Sequence, residues 1–526
     1  MPTPKVLIAD QLSPAAVGIF RTRGVDADVR TGLSKDELLK IIGDYDGLAV
    51  RSATKADKDV LAAAKRLKVI GRAGIGVDNI DVPGATAAGV VVMNTPFGNS
   101  ITTAEHAIAM MFALARQLPA ADASTQAGKW EKNRFMGVEL YGKTLGLIGA
   151  GNIGSIVADR ANGLKMHVVA YDPFLSPERA VELGVEKVEL DDLLARADII
   201  TLHTPLTDKT RNILSAEAIA KAKKGVLIVN CARGGLVDEQ ALRAALDSGQ
   251  VGGAAFDVFV TEPAKENALF GAPYFIATPH LGASTNEALE NVALQVAEQM
   301  SDYLLTGAVT NALNSPSVTA DEAPKLKPFV ALAEKLGAFA GQMVDVGLKG
   351  VDIAYEGDVA ALNVRPLSAA ALAGFLRPML SEVNMVSAPA VAKERGITVS
   401  ESRQETSPVY DSLIRITVTT EMGRRSFAGT VVAGAPRIVE VKGMELDAAF
   451  APAMLYVNNR DKPGFIGALG ALLGETGVNI ATFNLGRVAA GEDAIALVGV
   501  DQAPDESLVA KIKALPHVKE ARSLTF

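Results

Sequence analysis

Two series of short apolar segments alternate with helical patterns over the first 310 residues, and this alternation is the strongest constraint on the fold. The first series comprises four segments, at 5–10, 47–52, 68–74 and 89–94. An Ala- and Met-rich helix is predicted at 101–117, and six more segments follow, at 143–149, 167–172, 198–205, 226–232, 253–259 and 274–280. Continuous apolar runs separated by helices are typical of parallel sheets buried on both faces. The pattern predicts two doubly wound, Rossmann-like α/β domains with a cleft between them.

The sequence changes character after residue 315. Residues 319–450 mix helical stretches with antiparallel-looking strands, which predicts a separate α+β domain. From 452 the order is β-α-β-β-α-β, that of the ferredoxin-like fold. Several domains are expected, because single hydrophobic cores stop growing at about 250–300 residues. The predicted domains are 1–98 plus 283–315, with a helix at 286–306 returning the chain, then 99–282, 316–450 and 452–526.

Charge and cysteine content exclude several classes of function. A net charge of −8 gives no basic footprint for nucleic acid or for an anionic membrane surface. A single cysteine excludes an internal disulfide framework and fits a reducing compartment. The N-terminal residues show no apolar stretch of signal-peptide length, and no uncharged run approaches the ~20 residues that span a bilayer. We expect a cytoplasmic protein without nucleic-acid or membrane partners.

A glycine-rich motif follows the strand at 143–149 and opens a helix. Its spacing is Gly-x-Gly-x-x-Gly, and the next strand ends on Asp172, eighteen residues after the last glycine. Such a loop lets backbone amides and a helix N-terminus approach a pyrophosphate, and the acidic residue accepts ribose hydroxyls and repels a 2′-phosphate. The alternative is a tight βα turn with an exposed Asp. We predict NAD as the cofactor, bound by Gly149, Gly151, Asn152, Ile153, Gly154 and Asp172.

Three ionisable residues come just past the ends of successive strands: Arg233, Glu262 and His280. Ligands bind at this edge of an open parallel sheet, so the three are expected to converge on one crevice. Imidazole suits removal of a hydroxyl proton near neutral pH, a carboxylate orients it, and an Arg fork binds a substrate carboxylate. Each also has a structural alternative: a surface or capping Arg, a loop Glu and a core His. Together they predict oxidation of a hydroxy acid without a metal.

The motifs "ARGGLVDE", "DVF…EP" and "TPHLGAST", with "GLIGAGNIG" upstream, resemble those of the D-isomer-specific 2-hydroxyacid dehydrogenases over residues 4–315. The resemblance implies that Arg233 binds the substrate carboxylate and that His280 is the acid/base paired with Glu262. It also implies further cofactor contacts, at Thr204, Pro205, Cys231, Ala232, Asp257 and Gly282.

The other wall of the cleft carries cations and small residues near two strand ends. Arg51 and Ser52 follow one strand, Arg72 and Gly74 the next, and Arg134 lies further along the chain. Cations with exposed amides suit a doubly anionic substrate such as a phosphorylated acid, although solvated surface arginines are an equal alternative. The domain order resembles that of long family members that oxidise 3-phosphoglycerate in serine biosynthesis. That resemblance implies substrate contacts at Arg51, Ser52, Arg72, Gly74, Asn99 and Arg134.

The C-terminal module resembles an ACT domain, a fold that commonly binds amino acids between subunits. The resemblance implies an effector such as L-serine near Asn459, Asp461 and Asn479, and a homo-oligomer, dimer or tetramer. Position 459 departs from the His or Tyr of some serine-sensitive relatives, which leaves serine inhibition open. A purely structural module is the alternative. Two other functions stay open for the whole chain: a glyoxylate or hydroxypyruvate reductase, and an NAD(H)-sensing, corepressor-like binding protein.

Overall fold

A computed structural model describes residues 3–344, 348–380, 383–421 and 423–526. The first sheet has five parallel strands in the order β2-β1-β3-β4-β5. These strands are Lys5–Ile8 (β1), Asp26–Val29 (β2), Gly47–Val50 (β3), Val69–Arg72 (β4) and Val91–Met93 (β5). Its connecting helices are Pro14–Thr22 (α1), Lys35–Ile41 (α2), Lys58–Ala63 (α3) and Val82–Ala87 (α4). Every strand except β2 matches a predicted apolar segment. The edge strand β2 was missed because only Ala27 of its four residues is buried.

The second sheet has seven parallel strands in the order β12-β11-β10-β9-β6-β7-β8. Its strands are Thr144–Ile148 (β6), His167–Tyr171 (β7), Glu186–Lys187 (β8), Ile199–Leu202 (β9), Val226–Asn230 (β10), Val251–Phe256 (β11) and Phe275–Ala277 (β12). The accompanying helices are Ser100–Ala115 (α5), Leu118–Gln126 (α6), Asn152–Gly163 (α7), Pro177–Glu182 (α8), Leu190–Arg196 (α9), Ala216–Lys221 (α10) and Glu239–Ser248 (α11). The short, exposed edge strand β8 was not predicted.

The chain then returns to the first sheet through a long helix, Asn286–Thr306 (α12), which packs against α1 and β4. A Cβ on Gly71 of β4 would lie 2.2 Å from Met300 Sδ and 2.6 Å from Val296 Cγ2, so the helix sits directly on the strand. Residues that follow the carboxyl ends of strands in both sheets line one cleft. The domain boundaries given above stay a prediction.

The third unit is a six-stranded sheet in the order β14-β13-β15-β16-β17-β18, antiparallel except between β13 and β14. Its strands are Leu348–Gly357 (β13), Thr398–Gln404 (β14), Ser412–Thr420 (β15), Gly423–Val432 (β16), Ala435–Val441 (β17) and Met444–Ala449 (β18). Its helices are Ala323–Gln342 (α13), Arg365–Leu376 (α14) and Ala388–Glu394 (α15). Three short 3₁₀ turns complete the helical inventory of the described residues, at Ile42–Asp44, Lys132–Arg134 and Asp358–Ala361.

The C-terminal unit is an antiparallel sheet in the order β20-β21-β19-β22 with two helices. Its strands are Ala453–Arg460 (β19), Ile480–Arg487 (β20), Asp493–Val500 (β21) and Val518–Thr525 (β22); its helices are Phe465–Glu475 (α16) and Glu506–Lys513 (α17). This is the predicted ferredoxin-like arrangement, and the predicted fold class is confirmed for all four units. Within the described ranges, no helix has the length and apolar character required to cross a bilayer.

Helices α13 and α14 approach each other closely at glycines. A Cβ on Gly337 would lie 2.0 Å from Ala371 O, and one on Gly374 would lie 2.0 Å from Glu334 O. Because these neighbours are backbone atoms, they cannot move aside as a side chain would. This interface supports the sheet of the third unit through Phe339, which contacts the ring of Phe427 at a centroid distance of 4.9 Å.

We predict that Gly337→Ala destabilises the protein by about 1–3 kcal/mol, the usual effect of overpacking a close interface. Gly18→Ala is the matched control, because Gly18 lies within α1 and has no atom within 4 Å of an added Cβ. Because alanine has a higher helix propensity than glycine, Gly18→Ala should raise the free energy of unfolding by roughly 0.5–1 kcal/mol. Thermal and urea unfolding measure both variants, and equal effects of the two substitutions would contradict the close contact between α13 and α14.

Candidate active site

A cavity of about 750 Å³ lies between the first two domains, at the carboxyl ends of their strands. The first domain and its junction contribute mainly cationic and polar side chains to its wall: Arg51, Ser52, Lys55, Arg72, Gly74, Asp78, Asn79 and Asn99. The second domain contributes ionisable groups from the loops after β11 and β12: Asp257, Glu262 and His280. Most of the predicted substrate-binding residues therefore meet two of the predicted catalytic residues in one crevice.

His280 and Glu262 form a directly hydrogen-bonded pair. His280 Nδ1 lies 2.6 Å from Glu262 Oε2, while Glu262 Oε1 accepts the Phe259 N–H at 3.0 Å. The hydrogen bond that His280 donates to Glu262 raises the pKa of His280 above its ordinary value, outweighing the opposite effect of burial. Burial alone would raise the pKa of Glu262, but the bonds from His280 and Phe259 hold it below its usual range. The pair is therefore a base with its ring orientation fixed.

The loop that carries His280 is built around the buried carboxylate of Asp257. Asp257 accepts hydrogen bonds from the Thr278 hydroxyl at 2.6 Å, the Leu281 N–H at 2.7 Å and the Gly282 N–H at 2.8 Å. Its carbonyl also accepts the His280 N–H at 2.9 Å, although His280 has a positive φ of 57°. Burial raises the pKa of Asp257, yet bonds from His106 and Thr278 bring it below the ordinary value. The position of His280 follows from these bonds.

Arg233 follows β10 and extends toward the first domain. Its Nε donates to Asp78 Oδ2 at 3.1 Å and its Nη1 donates to Ala232 O at 2.7 Å. The turn beneath it is fixed by Asn230, whose Nδ2 donates to Arg233 O at 2.9 Å and whose Oδ1 accepts the Ala232 N–H at 3.1 Å. The guanidinium therefore lies at the border of the two domains, bonded to Asp78 of the cavity wall, although Arg233 is not itself among the residues that line the cavity.

The wall of the first domain is organised by two polar side chains. Buried Asp10 accepts the Arg51 N–H at 2.7 Å and the Thr54 hydroxyl at 2.6 Å. Asn79 Nδ2 then donates to Arg51 O at 2.8 Å and to Thr54 O at 2.6 Å. These bonds hold the turn with Arg51 and Ser52 against the loop that follows β4. Gly74 is fixed in the same way, since its N–H donates to Thr95 Oγ1 at 2.6 Å.

Cations are concentrated in this wall although the whole chain is acidic. Burial, together with the neighbouring charges of Arg233 and Arg51, lowers the pKa of Arg72 to about 10. Two buried polar atoms here have no hydrogen-bond partner within the described residues, Arg72 Nε and Asn99 Oδ1. Buried polar groups are rarely left unpaired. The Arg72 Nε–H suits an anionic oxygen of a ligand, whereas Asn99 Oδ1 is an acceptor and suits a ligand hydroxyl or N–H group.

The glycine loop fits a dinucleotide. Gly149 has a φ of 96°, and a Cβ there would lie 2.6 Å from His203 O; a Cβ on Gly154 would lie 2.0 Å from Gly149 O. Gly151 has open space instead, at the N-terminus of α7, which no described side chain caps. Asp172 accepts the Ala150 N–H and the Phe174 N–H, both at 2.8 Å. Close packing on one side and free amides on the other form a cradle for a pyrophosphate.

The remaining predicted cofactor residues have mixed surroundings. Asn152 and Ile153 begin α7 beside Gly151, and Thr204 and Pro205 follow β9 next to Gly149. Cys231 is buried, and burial together with Asp257 raises the pKa of its thiol well above the usual range. Ala232 is partly buried. The N–H of Gly282 is occupied by Asp257 and its carbonyl by Thr103.

Two predictions are not supported by the positions of the residues within one chain: Arg134 is not at the substrate cavity, and the effector residues Asp461 and Asn479 are not close to each other. Arg134 lies outside the cavity lining, half exposed and paired with Glu131 at 2.9 Å. Asp461 and Asn479 lie at opposite ends of β21, because Arg460 pairs with Asp493 whereas Ile480 pairs with Val500. Eight strand residues separate them by about 24 Å, so the two cannot hold one small effector in a single chain.

The local partners of the three predicted effector residues are within the ACT-like unit itself. Asp461 accepts Arg487 Nη1 at 2.8 Å, which holds the pKa of its carboxyl below the usual range. Asn479 Nδ2 donates to Asp501 Oδ2 at 2.9 Å. Asn459 is buried, with Nδ2 donating to Arg460 O at 2.8 Å and Oδ1 unpartnered among the described residues.

Several residues of the site were not predicted from the sequence, among them Lys55, Asp78, Asn79 and His106. Lys55 and Asp78 lie in the same strand-end segments as Arg51 and Arg72, so a signal for them existed. His106 is on α5, far from any motif, and lies 3.3 Å from both Asp257 Oδ1 and Thr278 Oγ1. Across the described residues, no group of three or more His, Cys, Asp or Glu side chains could hold a metal ion.

Comparisons with known proteins agree with this geometry. Residues 108–282 match the family of the D-isomer specific 2-hydroxyacid dehydrogenase, NAD binding domain. Residues 325–442 match the D-3-phosphoglycerate dehydrogenase intervening domain, and residues 453–517 match the ACT domain. The prediction of NAD as the cofactor is thereby confirmed.

Full-length relatives extend the match to the whole chain. D-3-phosphoglycerate dehydrogenase of Synechocystis is 44% identical over 98% of this chain and 94% of the relative, and that of Methanocaldococcus jannaschii is 43% identical over 98% of each. A solved glyoxylate reductase from Paecilomyes thermophila is 32% identical, with a TM-score of 0.56 over 60% of this chain and 99% of that one. The shared catalytic part and the two additional domains together show that the chain belongs to the D-3-phosphoglycerate dehydrogenase family.

Proposed function

We propose that the chain oxidises 3-phospho-D-glycerate to 3-phosphohydroxypyruvate with NAD, the first step of L-serine biosynthesis. The observation that carries this proposal is the oriented His280–Glu262 pair opposite a wall of cations in one cavity. The two ends of the substrate match that arrangement, because a hydroxy acid needs a base at C2 and a phosphate needs concentrated positive charge.

His280 acts as the acid/base in this proposal. With Nδ1–H donated to Glu262, neutral His280 has its lone pair on Nε2, which takes the C2 hydroxyl proton. NAD, when bound, supplies the acceptor for the C2 hydride. The imidazolium formed on His280 is then stabilised by the adjacent Glu262 carboxylate.

The cations set the orientation of the substrate. Arg233, which is close enough to His280 for its charge to lower the pKa of that imidazole, binds the C1 carboxylate and polarises the C2 oxygen. Arg51, Lys55 and Arg72 lie on the opposite wall and take the phosphate, with Ser52, Gly74 and Asn99 as further polar contacts. Arg134 lies outside this cavity, so its role in phosphate binding stays a prediction. The dinucleotide is held by Gly149, Gly151, Gly154 and Asp172.

The similarity to a solved glyoxylate reductase favours one alternative function, the reduction of a 2-oxo acid such as glyoxylate or hydroxypyruvate. Those acids lack a phosphate and would leave the cationic wall without a partner. A corepressor-like role would not require the oriented His280–Glu262 pair, and the geometry therefore favours an enzyme.

A homo-oligomer and a cytoplasmic location complete the proposal. Large apolar side chains are exposed along the segment 97–141, as expected of a subunit interface: Phe97, Ile101, Leu118, Trp130, Met136 and Tyr141. An amino-acid effector such as L-serine fits the ACT domain only between two copies, given the separation of Asp461 and Asn479. The free, buried Cys231 is compatible with a reducing cytoplasm.

The test of function is NADH formation at 340 nm with NAD and 3-phospho-D-glycerate, with hydrazine trapping the keto product because the oxidation is uphill. We expect kcat/KM to exceed that for D-glycerate by at least about 100-fold, since two charge-assisted contacts to the phosphate are lost. Arg51→Ala should reduce this preference. Equal use of both acids would exclude phosphate recognition, and a parallel arm with millimolar L-serine tests the effector.

The pH dependence of oxidation tests the catalytic pair. Oxidation requires neutral His280, so kcat/KM should rise with pH through the pKa of His280, which Glu262 raises. Glu262→Gln removes the carboxylate, lowers the pKa of His280 and so moves the acid limb of the oxidation profile to lower pH. The reverse reaction needs protonated His280, so its activity falls as the pH rises through that pKa. In Glu262→Gln this fall should begin at a lower pH than in the wild type. We expect kcat for oxidation by Glu262→Gln to be about 100-fold or more below that of the wild type, a loss within the range ascribed to general acid–base catalysis.

His280→Asn is the reference for that experiment. It should retain NADH binding, measured by fluorescence, while losing the acid limb altogether. An unchanged acid limb in Glu262→Gln, or near wild-type turnover in His280→Asn, would contradict the assignment of the base.

A further inference from the structure

We infer that Asp78 is a positioning residue that reaches across the cleft and holds Arg233 in the orientation that binds the substrate carboxylate. The identity of that carboxylate rests on the proposed function, whereas the contact between the two side chains does not.

The pair joins the two domains of the site. Asp78 lies in the loop after β4 of the first sheet, and Arg233 follows β10 of the second. Arg233 Nε donates to Asp78 Oδ2 at 3.1 Å, over a sequence separation of 155 residues. A predicted catalytic residue of one domain is thus held by a side chain of the other.

The backbone at Gly76 adds a second contact to the same guanidinium. A Cβ on Gly76 would lie 1.9 Å from Arg233 Nη2 and 2.9 Å from Asp78 Oδ2. Any side chain at position 76 would therefore displace either Arg233 or Asp78. The guanidinium of Arg233 therefore packs directly against the backbone of the loop that carries Asp78, and the hydrogen bond to Asp78 fixes the rotation of the guanidinium in that position.

The hydrogen-bond donors of Arg233 show what this orientation achieves. A guanidinium has five N–H donors in a fixed planar fork. Asp78 takes the Nε–H, and Ala232 O takes one hydrogen of Nη1. The second hydrogen of Nη1 and both hydrogens of Nη2 have no partner among the described residues. Asp78 therefore occupies the Nε edge and leaves Nη donors for the carboxylate of a ligand.

The high exposure of Asp78 indicates that its role is to position Arg233 and not to stabilise the fold. Its side chain is 75% exposed, against 29% for Arg233. Exposed ion pairs contribute little to folding stability, so removal of Asp78 should leave the protein folded. Asp78 also offsets the repulsion between Arg72 and its cationic neighbours Arg233 and Arg51. Loss of Asp78 is therefore expected to affect substrate handling with little effect on stability.

The test compares Asp78→Ala with Asp78→Asn in the full-length enzyme. Asp78→Ala should lower kcat/KM for 3-phospho-D-glycerate about 10- to 100-fold, the loss expected for a charge-assisted hydrogen bond, with unchanged Tm and NADH affinity. Asp78→Asn keeps an acceptor for Nε and should stay within about threefold of the wild type.

Asp81→Asn is the matched control, since it removes the same charge from the same loop. Asp81 caps α4 through Gly84 N–H at 2.9 Å, and Asn is an equally good cap. Its kcat/KM should not change. If Asp81→Asn lowers kcat/KM as much as Asp78→Ala, the effect is one of loop charge and the inference is wrong.

The decisive comparison introduces Asp78→Ala into the Arg233→Lys variant, because lysine lacks the Nε–H group that donates to Asp78. Asp78→Ala should reduce the residual activity of Arg233→Lys by less than about threefold. An equal fold loss in both backgrounds, or no loss in the single variant, would overturn the positioning role. A wild-type enzyme inactive on 3-phospho-D-glycerate would instead refute the proposed function, and the two failures are therefore distinguishable.

Discussion

The buried carboxylate of Asp257 is the interaction on which the geometry of the site depends. A buried charge is tolerated only when it is hydrogen-bonded, and Asp257 is fully buried with three short bonds from the segment 278–282. Those bonds fold the loop after β12 back over β11 and place His280 within 2.6 Å of Glu262. The same loop is tied to α5 through Thr103, which donates to Gly282 O at 2.8 Å. Core, loop and base are therefore one connected unit.

The first domain supplies the opposite half of the chemistry. Asp10 and Asn79 shape a wall whose cations face a cavity shared with His280. The positive charge is local, since the chain as a whole carries a net charge of −8. The catalytic pair and the anion-binding wall come from different domains, so their relative position depends on the contacts that cross the cleft. The bond between Arg233 and Asp78 is one of these contacts, and it connects the proposed carboxylate-binding residue to the first domain.

Periodicity and motifs predicted the parallel sheets, the ferredoxin-like module and the convergence of Glu262 and His280. These features are local in sequence: apolar runs form the buried strands, and ligands meet at the carboxyl edge of a sheet. Strands β2 and β8 were missed because edge strands need no apolar run. His106 and the Asp78–Arg233 contact could not be predicted, since tertiary packing brings together residues more than 150 positions apart. The separation of Asp461 and Asn479 likewise follows from strand register, which the motif does not encode.

The most direct measurement is a crystal structure of the enzyme with NADH and 3-phospho-D-glycerate. The account predicts the C1 carboxylate on the Nη atoms of Arg233 with Asp78 still on Nε, the C2 oxygen within hydrogen-bond distance of His280 Nε2, and the phosphate among Arg51, Lys55 and Arg72. A substrate bound with its phosphate on Arg233, or with C2 remote from His280, would contradict it.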